Sequence, residues 1–188
     1  MENRTGRRSR EKMIRRATEE DISAVAEIYE EILQEQEQGR TYVGWTRGVY
    51  PTRQTALQAL EKGSLFVCQE EGEIVAAAKI DREQVPAYSQ CRWQEEAPEN
   101  QVMVLHTLVV SPRHPRRGYG RAFVEFYEEY AREQGCLYLR MDTNERNTVA
   151  RAMYRGMGYR EAGIVPCVFN GIPGVNLVCL EKKLRQKK

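Results

Sequence analysis

One stretch constrains this chain more than any other: an apolar run of strand length, then a basic loop bounded by glycines, then an amphipathic helix. Residues 101–110 read QVMVLHTLVV. So nearly continuous an apolar run is the pattern of a central strand covered on both faces. SPRHPRRGYGRA follows (residues 111–122), with five basic side chains and the closely spaced Gly118 and Gly120. Over residues 121–134, Phe123, Phe126, Tyr127, Tyr130 and Ala131 fall on one helical face. Glu128 and Arg132 form an i,i+4 pair there, and Gly135 ends the helix. A helix start leaves unpaired N–H groups and the positive end of a dipole. Glycines let backbone approach a ligand without a Cβ in the way, so such a loop binds phosphate readily. Arg116, Arg117 and Arg121 add charge and forked donors. The stretch is neither a P-loop, since G-x-x-x-x-G-K-[ST] is missing, nor a dinucleotide fingerprint, since Phe123 holds the third glycine position. On spacing alone, a phosphate loop and a solvated turn both stay open.

The other elements give this unit its setting. Residues 13–17 form a short strand, and Thr18 caps a helix with Asp21 three residues on. Ile22, Val25, Ala26, Tyr29, Ile32 and Leu33 recur at helical spacing along it, and Gly39 ends that region. Residues 41–51 are a loop rich in glycine and aromatics. Thr52 caps a second helix carrying Ala56, Leu57 and Leu60, and Gly63 closes it. Strands at 65–69 and 73–81 flank a Glu71-Gly72 turn. Residues 82–100 are irregular. A strand at 136–142 precedes a helix capped by Asn147 that runs to Met157 and stops at Gly158. Two last strands flank a turn-rich connection over residues 170–174. The order β α α β β β α β α β β describes one mixed α/β domain over residues 13–188.

Bulk properties exclude several classes. A chain of 188 residues is long enough for one sizeable core, and a net charge of +2 argues against a nucleic-acid binder. Residues 1–12 (MENRTGRRSREK) are Arg-rich with almost no apolar side chains. They are expected to be a disordered basic tail. No apolar run approaches a membrane span, and the N-terminus lacks the apolar core of a signal peptide. Five scattered cysteines without a C-x-x-C pair fit reduced thiols in the cytoplasm. With two histidines and no H-E-x-x-H, no metal site is expected.

LVVSPRHPRRGYGRAFVEF resembles the acyl-CoA signature of the GNAT superfamily of N-acyltransferases. MDTNERNTVARAMYRGMGY resembles that superfamily's next motif, in the expected order and spacing. The resemblance implies a mostly antiparallel central sheet flanked by helices, with one parallel strand pair (101–110 and 136–142) that splays apart to admit CoA. It implies acetyl-CoA as acyl-donor cosubstrate and an amine as acceptor, with a homodimer left open. Backbone amides around Arg116, Arg117, Gly118, Tyr119, Gly120 and Arg121 would hold the pyrophosphate. Pro115 stands where the family usually has Gln or Arg, and proline supplies neither an N–H nor a polar side chain. Arg113 or His114 would meet the adenosine phosphate. Leu108, Val109 and Val110 would pair the pantetheine amides like an added strand.

In the second motif, helical spacing sets Asn147, Ala150, Arg151 and Tyr154 on one face, in line for a cofactor. Val149, Ala152, Met153 and Gly156 then form a small apolar face against the sheet. The resemblance makes Tyr154 the acid at the leaving thiolate; a buried tyrosine with a satisfied hydroxyl is the structural alternative. His106 stands near the place where many relatives have Glu and is a candidate base, with Asp81 and a water chain as others. Trp45, Tyr50, Tyr88 and Trp93 lie in loops and are expected, with Asp81, to shape an acceptor pocket; the aromatics could equally cover the core. No covalent intermediate is needed: neither G-x-S-x-G nor a Cys-His spacing is present. A small-molecule amine leads as acceptor; a protein or peptide amine, and a CoA-binding sensor without turnover, are the alternatives.

Overall fold

The fold is organised by its most apolar strand. In the computed structural model, which describes residues 12–185, the strands are β1 (Met13–Arg16), β2 (Leu65–Glu70), β3 (Glu73–Asp81), β4 (Val102–Val110), β5 (Tyr138–Asn144), β6 (Arg160–Phe169) and β7 (Ile172–Lys183). The helices are α1 (Ile22–Glu37), α2 (Arg53–Glu61), α3 (Tyr119–Glu133) and α4 (Thr148–Gly156). The strands form one sheet in the order β1-β2-β3-β4-β5-β7-β6. All neighbours are antiparallel except β4 and β5.

β4 is covered on both faces, and its side chains are shared among three core clusters. Met103 and Leu105 join Phe123, Tyr127 and Leu139 beneath α3. Val102 and Val104 pack under the irregular 82–101 segment with Tyr88, Val165 and Leu177. Val109 joins Ile22, Val25, Ile28 and Val67 beneath α1 and α2. Each fully buried aliphatic of this kind contributes about 1.5–3 kcal/mol through the water it sheds. The switch from even to odd residues on one face marks an extra residue in β4. Ala77 pairs with Val109 but Lys79 with His106, so three β4 steps oppose two of β3. Thr107, inside this bulge, has φ +50°. A bulge bends its strand and interrupts its ladder.

Local chemistry sets the connections. Thr18 and Asp21 form the expected capping box before α1. Both β-hairpins close through two left-handed residues, Glu71-Gly72 and Asn170-Gly171, the conformation a two-residue hairpin turn demands. The second connection is thus shorter than the sequence suggested, since Ile172 already pairs with Phe169.

Other expectations need correction. On α4, Val149 is 81% exposed, and Ala152 and Gly156 are exposed too. Met153, expected on that face, does meet the core; Ala150, Tyr154 and Met157 join it there. A nine-residue helix against one flank of the sheet buries a single narrow stripe, and the larger side chains took it. On α2, Ala56 and Ala59 are buried, while Leu57 and Leu60 only border the core. Arg132 pairs with Glu129 at 3.1 Å, not with Glu128, which takes Lys182 of β7 at 2.7 Å. The expected basic tail, residues 1–12, lies outside the described residues except for Lys12, whose Nζ donates to the Arg117 carbonyl at 2.6 Å.

Candidate active site

β4 and β5 pair only from Val102 with Tyr138 to Leu105 with Met141. Beyond that, β4 continues to Val110 and β5 to Asn144, and the two strands part. A cavity of about 400 Å³ opens at this split. His106, Thr107 and Leu108 line it from β4, Asp142, Thr143 and Asn144 from β5, and Asn147, Ala150 and Tyr154 from α4 and its cap. The second sequence motif therefore faces the strand of the first, although some forty residues of chain separate them.

The 41–51 loop supplies another wall through Val43, Gly44, Trp45 and Tyr50. Gln36 of α1 fixes this loop. Its Oε1 accepts from the Val43 and Gly44 amides at 3.0 and 2.7 Å, and its Nε2 donates to the Trp45 carbonyl at 2.8 Å. Gly44 lies so close to Asn144 that a Cβ there would collide with that side chain. Trp45 and Tyr50 meet edge to face at 6.0 Å between ring centres. The Tyr50 hydroxyl hydrogen-bonds the Thr107 hydroxyl, tying the loop to the β4 bulge. Burial pushes the Tyr50 hydroxyl up to about 12.

The titratable groups divide by environment. His106 Nε2 lies 3.1 Å from Asp81 Oδ1. Asp81 also pairs with Lys79 at 3.1 Å. Burial alone would raise the Asp81 carboxyl, but the hydrogen bond and charge of His106, an amide and Lys79 bring it down to about 2. Asp142 shows the reverse: burial raises its carboxyl, and the Tyr88 hydroxyl donates to its Oδ2 at 2.8 Å. The Tyr154 ring is buried, and burial holds its proton on far above neutral pH. Among the described residues, no hydrogen bond engages the Tyr154 hydroxyl.

Of the side chains expected to shape an acceptor pocket, Trp45 and Tyr50 stand on the cavity wall, and Asp81, Tyr88 and Trp93 do not. Tyr88 is 2% exposed and reaches the site through Asp142. Trp93 donates from Nε1 to the Tyr88 carbonyl at 2.9 Å and stacks beneath the Arg140 guanidinium at 4.0 Å. Asp81 reaches it through His106. These two aromatics are covers over the core: Tyr88 is buried in the 3₁₀ turn Pro86–Gln90, and Trp93 packs against it with ring centres 5.3 Å apart.

The basic loop divides in the same way. Arg113 is held by Glu31 at 2.9 Å and Glu73 at 3.4 Å, and Arg117 by Glu70 at 3.1 Å, while His114 Nε2 lies 3.2 Å from Glu73 without a hydrogen bond. The Tyr119 ring is 1% exposed, and its hydroxyl hydrogen-bonds Glu70. Arg116 and Arg121 are exposed and form no ion pair among the described residues. Gly118, at φ +75°, caps α3. Val109 packs into the core, so what it offers a ligand is its backbone. Thr107, Asp142 and Asn144 were not singled out from sequence. The polar run D-T-N closing an apolar strand was the available signal for the latter two; nothing local marked Thr107.

A mixed sheet with one parallel pair that splits over a cavity, with a glycine-capped basic helix start just past one of the split strands, is the GNAT fold. The chain belongs to the Acetyltransferase (GNAT) family, whose model matches residues 23–159. It is 23% identical over 158 residues to an uncharacterised N-acetyltransferase of Methanocaldococcus jannaschii, covering 81% of this chain and 62% of that one. It is 29% identical over 72 residues to streptothricin acetyltransferase of Streptomyces lavendulae, 38% of each chain. The chain thus spans less than two thirds of the length of these relatives. In fold it resembles a GNAT-family acetyltransferase from Streptococcus agalactiae, with a TM-score of 0.77, 21% identity, and 94% and 96% of the two chains covered. It also resembles the yncA protein of Salmonella typhimurium, whose structure contains its cofactor acetyl-CoA, with a TM-score of 0.66, 16% identity, and 95% and 96% covered. Among the described residues, no helix is long and apolar enough to cross a membrane.

Proposed function

We propose that this chain is an N-acetyltransferase that moves the acetyl group of acetyl-CoA to the amine of a small molecule, by direct attack with both substrates bound. The observation that carries this reading is Tyr154, which lines the cavity where β4 and β5 part and whose hydroxyl has no hydrogen bond to any described residue. A phenol on a cavity wall whose hydroxyl has no protein partner can donate to a bound substrate.

The α3 start fits the phosphates of CoA. Arg116 and Arg121 supply cations that no glutamate neutralises among the described residues, and Gly118 caps the helix without a side chain. The first turn offers the backbone amides of Tyr119, Gly120 and Arg121. Leu108, Val109 and Val110 offer backbone at the widened edge of β4. In the reaction, the amine nitrogen forms a bond to the thioester carbon and the carbon–sulfur bond breaks. Tyr154 gives a proton to the departing sulfur. His106 takes the proton the amine must lose, with Asp81 fixing its ring through Nε2. The cavity is walled by the 41–51 loop, by Gln84, Val85 and Pro86, and by Phe169 and Asn170 of the last hairpin. That enclosure suits a small acceptor better than an extended peptide.

A thiol-release assay with acetyl-CoA tests this, run across polyamines, amino acids, aminoglycosides and N-terminal peptides. Small amines should release CoA with saturation, and peptides should not. Release with peptides alone would transfer the activity to protein amines; release with none would leave a CoA-binding protein without turnover.

A further inference from the structure

The cavity wall carries one carboxylate that the reaction above does not use. Asp142 follows Met141, the last β5 residue paired with β4, so it stands where the strands part. The other carboxylate on the wall, Glu83, is held by Lys79 at 2.8 Å and Lys62 at 3.3 Å. Lys79 is shared with Asp81, which also engages His106. The cations lining the cavity are therefore already in use. Among the described residues, Asp142 has no lysine or arginine partner; the Tyr88 hydroxyl donates to it at 2.8 Å, and the His106 ring is near enough to favour its charged form.

We propose that Asp142 is the recognition carboxylate of the acceptor, and that the acceptor is an aliphatic amine that enters as its cation, rather than an aromatic amine or another nitrogen that is neutral in water. This rests on the reading of the cavity as the acceptor site. A carboxylate on a cavity wall with one hydrogen-bond donor and no lysine or arginine partner is under-compensated, and a cation brought in from solution restores the balance. Alkylammonium groups titrate near ~10.4, as lysine does, and so arrive charged at neutral pH. Trp45 and Tyr50 add aromatic faces that attract the same charge. Phe169, Val175 and Leu177 give the alkyl portion an apolar surface. His106 enters from β4, so the ammonium is caught beside the group that removes its proton.

The test measures binding without turnover. With the protein saturated by free CoA, which has no acetyl group to transfer, n-hexylammonium and its neutral isostere 1-hexanol are titrated by calorimetry at pH 7. Wild type should prefer the cation at least tenfold. Asp142→Asn, which keeps an oxygen for Tyr88, should reduce that preference to below threefold with 1-hexanol binding unchanged. Tyr88→Phe removes the neutral donor but keeps the charge, and should keep the preference. No preference in wild type, or an undiminished one in Asp142→Asn, overturns the proposal. Cation preference that is lost in Asp142→Asn, in a protein that acetylates no amine, would sink the transfer reading and leave this one standing. Amine acetylation with an unchanged KM in Asp142→Asn would do the opposite.

Discussion

At the scale of single residues, Tyr154 separates turnover from mere binding. Tyr154→Phe removes an oxygen that no described residue engages, so folding stability should stay within about 0.5 kcal/mol. CoA affinity should change little, while kcat and kcat/KM should both fall by ~10²-fold, because the proton is given only as the thiolate leaves. Melting temperature, CoA affinity and single-turnover rate on one preparation decide it; an unchanged rate removes Tyr154 from the chemistry. The two acidic side chains beside His106 should respond to pH with opposite sign. Asp81 lies at about 2 in the fold, below its unfolded value of ~3.9. Its contribution is present above pH ~4 and lost as pH falls toward 2. Asp142 is raised by burial, so the native state holds its proton longer than the unfolded chain does. Stability therefore falls as pH rises from ~3.9 through the raised value. Asp142→Asn should match wild type near pH 3.5 and melt higher than wild type at pH 7, as thermal scans across that range would show. Equal melting at pH 7 would mean that the carboxylate is already compensated.

At the scale of elements, the start of α3 carries the phosphate reading. Gly118→Asp should weaken CoA binding more than tenfold, since a negative charge would sit at the helix start that offers its amides to phosphate. Gly118→Asn is the control: asparagine tolerates the left-handed φ of +75° without adding charge, and should lose much less. Equal losses in both would assign the effect to backbone strain. Gly120 is a poorer probe than its place in the motif suggests, because a Cβ there meets Met153 Sδ at 3.3 Å and would push on α4. Strands and helices were legible from sequence wherever apolar period and end signals agreed, as in the Thr18/Asp21 capping box and the Glu71-Gly72 turn. The inward face of α4 was legible only at Met153: Val149, Ala152 and Gly156 were given the sheet with it, and packing gave it to Ala150, Tyr154 and Met157 instead. The β4 bulge was illegible too, because Thr107 in a run of apolar residues has no local reason to adopt φ +50°. Its cause is the pairing of β4 with β3.

At the scale of the whole molecule, the segment before β1 should be dispensable. Deleting residues 1–11 removes a stretch with almost no apolar side chains and keeps Lys12, whose Nζ reaches the Arg117 carbonyl. Melting temperature should move by less than about 2 °C, and turnover at saturating substrate should be unchanged; a large loss of either would reveal a structural arm. The sequence by itself determined the class of fold, the buried central strand, and the basic glycine-capped helix start. These depend on period, on capping residues and on charge, all of which act over a few positions. It also selected Tyr154, His106 and Asn147, through two motifs that resemble a known pair. Tertiary structure decided which of the selected groups share a cavity. Tyr88 and Trp93 were turned into the core, and Asp142 was brought opposite His106. Arg113 and Arg117 were paired with glutamates from other elements, and Arg116 and Arg121 were left without an ion pair among the described residues. Such outcomes depend on partners dozens of residues away and on where two strands stop pairing, and no local pattern encodes either.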